Sequence, residues 1–173
     1  IGEEVTFKIT SDTGYDVSSF KVNGSDVDYV TKEDLTTGKT YWEAKVKMVS
    51  GGLTVTAEFK LGVYPIEWDT PAHGTIAVEG GKTQATYGDE VKFIFTPETG
   101  YEIKYLAINE EQVQASDNTY TTTMGEYGLF VTVQFGLENE TITVNAGEHG
   151  TIEHKNKADN SQDYLYGDTA VVT

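Results

Sequence analysis

Three histidines, a tryptophan with a tyrosine beside it and a surplus of carboxylates are the groups in this 173-residue chain with chemistry to offer. Metal ligation is the first candidate. Ligands must converge on one point, yet His73 and His149 hold the same place in two similar segments 76 residues apart. His154 follows His149 by five residues, which along a strand turns it to the opposite face. His73 and His149 therefore read as turn residues, and no metal ligand is assigned. Calcium is the second candidate, offered by Asn23, Asp26 and Asp28 and by Asp159, Asn160 and Asp163. It takes roughly six to eight oxygens at once, and neither cluster has the spacing of a calcium loop. Solvated turns are the better reading, with calcium the sole cofactor left as an alternative. Acid–base or nucleophilic catalysis needs a nucleophile, a base and oxyanion donors brought together. Ser is sparse, His is confined to a few places, and carboxylate pairs occur throughout so acidic a chain, so no catalytic residue is assigned and no enzyme is expected. Binding is the remaining chemistry. Tyr41 and Trp42, with Tyr29 before them, form an aromatic group able to stack on a sugar or meet a protein. Trp42 has no counterpart elsewhere in the chain. Trp68, at the position of Val144, reads as core.

Charge narrows the partners. Against 28 Asp and Glu stand 12 basic residues, all of them Lys, for a formal charge of −16. Nucleic-acid recognition needs a basic footprint, usually with Arg, so no nucleic-acid partner is expected, and an anionic lipid surface is a poor one. Cys is absent, which removes disulfides and thiolate chemistry. No apolar run approaches the roughly 18 residues that span a bilayer, so membrane insertion is not expected. The opening Ile1-Gly2-Glu3-Glu4 is not a signal peptide, so the chain is expected to be an interior piece if it is exported.

The elements that must position these groups are repeated. Gly2-Glu3-Glu4-Val5-Thr6-Phe7, continuing to Thr13-Gly14-Tyr15, matches Gly88-Asp89-Glu90-Val91-Lys92-Phe93, continuing to Thr99-Gly100-Tyr101, an offset of 86 residues. A clipped third copy of this block begins at Gly167-Asp168. Two further blocks, Gly52–Phe59 with Gly128–Phe135 and His73–Ile76 with His149–Ile152, are offset by 76. The unit is thus about 76 residues, and the first copy carries a 10-residue insertion between Asn23 and Met48. The expected modules are residues 1–61, a first copy without its opening strand; 62–136, a complete second copy; and 137–173, the start of a third.

Within each copy apolar residues alternate, the period of half-buried strands. Val91, Phe93 and Phe95 share a face, as do Val5, Phe7 and Ile9. Leu129, Val131, Val133 and Phe135 alternate, as do Leu53, Val55, Ala57 and Phe59. Leu106 with Ile108, and Phe20 with Val22, mark strands ending at Asn109 and Asn23. Thr31 to Thr37, in the insertion, is the one place where a helical turn is expected. The Gly14-Tyr15 and Gly100-Tyr101 pairs read as a positive-φ glycine followed by a core-capping tyrosine. The fold class is all-β, as tandem small sheet or sandwich modules, and the short joints around Leu61 and Leu137 predict an extended rod.

Taken together, Gly88–Phe93, Pro97–Tyr101, Leu106–Asn109, Thr123-Met124, Val131–Phe135 and the His73-Gly74-Thr75-Ile76 element resemble the divergent internalin B-repeat (InlB B-repeat-like) family of bacterial surface proteins. The first copy departs from the pattern in having Ser11 and Asp12 where Pro97 and Glu98 stand. The resemblance implies tandem spacer or adhesive modules, extracellular at the cell surface or in the cell wall, whose partners are neighbouring repeats of the same protein. A host protein or glycan is a further partner under an adhesive reading. A fibre subunit assembled by strand exchange is the alternative from a different class.

Overall fold

The computed structural model describes residues 2–173 as an all-β chain with one short 3-10 turn, Glu79–Gly81. The first copy contributes β1 (Glu4–Ile9), β2 (Tyr15–Val22), β3 (Ser25–Asp26), β4 (Val30–Glu33), β5 (Thr40–Lys47) and β6 (Val55–Leu61). The second contributes β7 (Val63–Trp68), β8 (Gly74–Val78), β9 (Gln84–Thr86), β10 (Glu90–Pro97), β11 (Tyr101–Ile108), β12 (Glu111–Gln112), β13 (Thr119–Thr123) and β14 (Leu129–Leu137). The third begins with β15 (Asn139–Glu140), β16 (His154–Asn156), β17 (Tyr164–Leu165) and β18 (Ala170–Val172). Contacts divide the chain into two compact units. One holds Ile1–Pro65, Gln84–Glu90 and Thr123–Gly128; the other holds Ile66–Thr83, Val91–Thr122 and Leu129–Thr173.

In the second copy the alternation of β10 decides the core. Val91, Phe93 and Phe95 are buried while Glu90, Ile94 and Thr96 face out. β10 lies between β13 and β8, with Phe93 opposite Val78 and Phe95 opposite Ile76. β11 pairs antiparallel with β14, and Leu106, Ile108, Leu129, Val131 and Val133 are buried on it. The second half of β7 runs parallel to β14, with Ile66 opposite Leu129 and Trp68 opposite Val131, while its first half pairs with β9. Eight of the nine second-copy core positions expected from the alternation are buried; the ninth, Phe135, is half-buried. Its ring lies against Gly74, where any Cβ would overlap it, and this close approach accounts for the glycine of the His-Gly-Thr-Ile element. Trp68 is half-buried rather than core.

The first copy uses the same scheme with fewer strands. β2 pairs with β6 as β11 pairs with β14, and both ladders shift register at the same place, between Val17 and Ser19 and between Ile103 and Tyr105. The extra residue, Ser18 or Lys104, is a β-bulge that lets Val17 and Phe20 both turn inward although three residues apart. The core gathers Ile9, Val17, Phe20, Val22, Trp42 and Ala44, with Phe7, Tyr29 and Val55 packed against it. Among the described residues β6 pairs with β2 alone, with no parallel neighbour of the kind β14 has in β7. Phe59, on its expected core face, is accordingly 43% exposed.

The insertion builds a hairpin. Val30–Glu33 are strand, paired with Glu43 to Thr40 of β5, and add a third strand to the β1–β5 pair. The helical turn expected over Thr31 to Thr37 is absent; a hydrogen-bonded turn lies just beyond the strand, at residues 34–38. The Gly38 amide donates to the Asp34 carbonyl at 2.7 Å, and the Thr36 and Thr37 amides donate to Asp34 Oδ1. Those two amides hold the Asp34 carboxyl below its usual range.

Candidate functional site

The turns that sequence comparison aligns are the places where the copies present the same geometry. Asn23 and Asn109 end β2 and β11 with φ of 50° and 49°, and Gly24 and Glu110 follow with φ of 78° and 69°. Two successive left-handed residues make the tight hairpin turn into β3 and β12. Each Asn also reaches across to the neighbouring strand. Asn23 Oδ1 accepts from the Thr54 amide at 2.8 Å, and Asn109 Oδ1 accepts from the Phe130 amide at 2.7 Å.

The Thr-Gly-Tyr turns close through the Tyr15 amide to the Asp12 carbonyl and the Tyr101 amide to the Glu98 carbonyl, both at 3.0 Å. In the first copy the Ser11 hydroxyl, where Pro97 stands in the second, donates to the Tyr15 carbonyl. Gly14 and Gly100 have φ of 80° and 81°, as a turn glycine should, but the tyrosines do not cap cores. Tyr15 is 42% exposed, and Tyr101 instead stacks on His73 with ring centroids 4.2 Å apart. His73 has φ of 61°, sits 3.3 Å from Glu98 Oε2, and its carbonyl accepts the Glu98 amide. His149 repeats the left-handed turn conformation, with φ of 65°. His154 lies beside Tyr164, Nδ1 to hydroxyl 3.0 Å.

The linkers bind the Thr-Gly-Tyr turns. The Gly62 amide donates to the Gly14 carbonyl at 2.8 Å, and the Gly62 carbonyl accepts the Tyr87 amide at 2.9 Å. One copy later the Glu138 amide donates to the Gly100 carbonyl and the Glu138 carbonyl accepts the Tyr166 amide, both at 2.9 Å. Tyr87 and Tyr166 each open a Tyr-Gly-Asp turn whose Asp side chain accepts a backbone amide, Thr86 to Asp89 at 3.2 Å and Leu165 to Asp168 at 2.8 Å. The Tyr64 phenol is pushed above its ordinary pKa, by burial first and by the Asp16 and Glu126 carboxylates next.

The expected binding residues are placed by packing. Trp42, 6% exposed, pairs with Ile9 in the β1–β5 ladder and belongs to the first-copy core. Tyr29 is half-buried and donates its hydroxyl to the Val17 carbonyl at 3.3 Å. Tyr41 is half-buried beneath the Lys8 ammonium, 4.3 Å from its ring centroid. The three rings do not form one exposed surface. Of the acidic clusters, Asn23 is spent on its strand bridge and Asp26 pairs with Lys21 at 3.9 Å. In the other, buried Asn156 fills the loop, donating to the Asp163 carbonyl and to Asp168 Oδ2, while the Ser161 amide donates to Asp159 and holds that carboxyl below its usual range. Among the described residues no three His, Asp or Glu side chains are grouped to hold a metal. A hollow of about 400 Å³ on the second copy is lined by polar side chains including Lys104, Tyr105, Gln112, Gln114 and Asn118.

Reading the sequence for chemistry missed the linker bonds and the tyrosines of the Tyr-Gly-Asp turns. Their only signal was a shared Tyr one residue before two of the aligned glycines, Gly88 and Gly167. No helix among the described residues is long and apolar enough to cross a membrane. A family model, that of the divergent InlB B-repeat domain, matches residues 64–139, from β7 through β14. Comparison with curated proteins and comparison with solved structures each return no match.

Proposed function

We propose, from the match of residues 64–139 to the divergent InlB B-repeat model, that the whole chain is a non-catalytic spacer in an extracellular bacterial surface protein. Modules 1–61, 62–136 and 137–173 are its successive links. One observation carries the reading: both linkers are short and make the same pair of backbone hydrogen bonds, Gly62 to Gly14 and Tyr87, and Glu138 to Gly100 and Tyr166. A flexible tether between independent domains would have no reason to reproduce such bonds. A spacer that must transmit a fixed geometry does, because each bond removes freedom from the linker.

Solution scattering tests this. A single compact 173-residue globule has a radius of gyration of about 16 Å. The spacer predicts a clearly larger value and a long tail in the distance distribution, and a value at the compact limit overturns it. The polar hollow beside β11 favours one second reading, adhesion through a glycan or a host protein. Binding on a glycan array or to host proteins, lost on changing Tyr105 and Gln112, would replace the spacer with an adhesin.

A further inference from the structure

Rings as well as backbone close the two junctions. A Cβ built on Gly14 would come within 2.3 Å of the Tyr87 ring, and a Cβ built on Gly100 within 2.1 Å of the Tyr166 ring, closer than any real contact allows. The same three ring atoms, Cδ1, Cγ and Cε1, make the approach in both cases. Both glycines are buried and both have positive φ. Each contact lies within one compact unit, the first in the unit holding Gly14, Gly62 and Tyr87, the second in the unit holding Gly100, Glu138 and Tyr166.

The surroundings of these contacts differ. The linker residue is Gly62 at one junction and Glu138 at the other. The chain from that residue to the tyrosine is 25 residues in the first case, 62 to 87, and 28 in the second, 138 to 166. The ring nevertheless meets its glycine in the same way. Contact geometry that survives a three-residue change in the connecting chain is set by the contact itself and not by the loop that delivers it.

We infer that the Thr-Gly-Tyr turn of each copy is a docking surface for the Tyr-Gly-Asp turn of the copy that follows. The tyrosine ring is the key, and the absent glycine side chain is the slot. The inference rests on the spacer reading and adds the residues that specify the partner. That partner is another copy of this repeat whose turn carries Tyr, then a positive-φ Gly, then an Asp that caps the turn. The division of labour is physical. The two linker hydrogen bonds fix where the tyrosine backbone sits, and part of the ring, half-buried at Tyr87 and 44% exposed at Tyr166, covers bare backbone at a position where no residue with a Cβ fits.

A double-mutant cycle on the full 173-residue chain tests it, with Gly100→Ala, Tyr166→Ala and both together, read by amide exchange at Glu138 and Tyr166. Tyr166→Ala is expected to speed exchange of the Glu138 amide roughly tenfold, the change that 1.4 kcal/mol produces in an equilibrium, while leaving the Val131 amide unchanged. Gly100→Ala is expected to cost less when combined with Tyr166→Ala than when made alone. The φ strain is common to both backgrounds and cancels, and only the clash with the ring is relieved. Strictly additive effects, or an unchanged Glu138 amide in Tyr166→Ala, overturn the inference. Should Gly100→Ala fail to fold, Tyr166→Phe and Tyr166→Leu decide: Phe retains protection and Leu loses it, and equal protection in the two overturns the docking. The outcomes separate from those of scattering. An extended particle with an additive cycle sinks the docking surface alone, and a compact particle with a coupled cycle sinks the spacer alone.

Discussion

Asn109 carries two tasks that substitution can separate. It occupies the first left-handed position of the turn between β11 and β12, and its side-chain oxygen accepts the Phe130 amide at 2.7 Å. Alanine loses both. A left-handed residue with a Cβ costs about 1–2 kcal/mol, Asn being among the residues that tolerate it, and the lost hydrogen bond costs about 1 kcal/mol. Asn109→Ala should therefore destabilise by about 2–3 kcal/mol. Glycine adopts the conformation freely and loses only the hydrogen bond and some unfolded-state entropy, so Asn109→Gly should cost about 1.5–2 kcal/mol. Aspartate keeps the acceptor and the turn preference, and should stay within about 0.5 kcal/mol. Urea unfolding with an unchanged m-value gives the three numbers. An alanine variant as stable as the glycine variant would refute the backbone component of the argument. An aspartate variant as weak as alanine would refute the hydrogen-bond component.

The core and the tyrosines give three further expectations. Phe93, fully buried opposite Val78, should cost about 3–5 kcal/mol when changed to Ala in the same urea assay; a loss under about 0.5 kcal/mol would put it on the wrong face. Trp42→Ala should unfold the first copy or cost a similar amount, about 3–5 kcal/mol, because the indole sits among Ile9, Val17 and Phe20; a variant of unchanged stability would return Trp42 to the list of ligand contacts. Tyr64 has a folded-state pKa raised above its ordinary value, so its contribution is complete below about pH 10 and is lost as pH rises from there through the folded value. Tyr64→Phe should lose less stability than the parent as pH rises above about 10, and identical losses would show that the phenol does not titrate differently on folding.

Alternation exposed the core strands because each buries one face. Val91, Phe93 and Phe95, or Leu129, Val131 and Val133, are legible from residue types alone. The same reasoning failed where the period of two is broken. The bulge at Lys104 joins the Gly-Tyr segment to Leu106–Ile108 in one strand, although the residues across it fall out of phase. Val30–Glu33 carries no alternating signal because all four residues are exposed, and its place in a sheet is fixed by pairing with β5. The candidate site was less legible still. Trp42 stood out because it had no counterpart, but a unique residue in an insertion needs packing as much as a shared one does. The linker contacts depend on main-chain atoms of Gly14, Gly62, Gly100 and Glu138, and backbone hydrogen bonds leave no mark on residue type.

The parallel pairing of β7 with β14 has a mechanical consequence. The chain enters the second copy along β7 and leaves it along β14, and the two strands lie side by side with Ile66, Glu67 and Trp68 opposite Leu129, Phe130 and Val131. Tension on the two ends pulls β7 backward and β14 forward along a shared ladder. The load falls on those pairs together, in shear, and they must give way at once before the copy extends. A hairpin such as β4–β5, pulled at its open end, would instead unzip rung by rung. Were the chain loaded from its two ends, this copy would resist through the stronger of the two geometries.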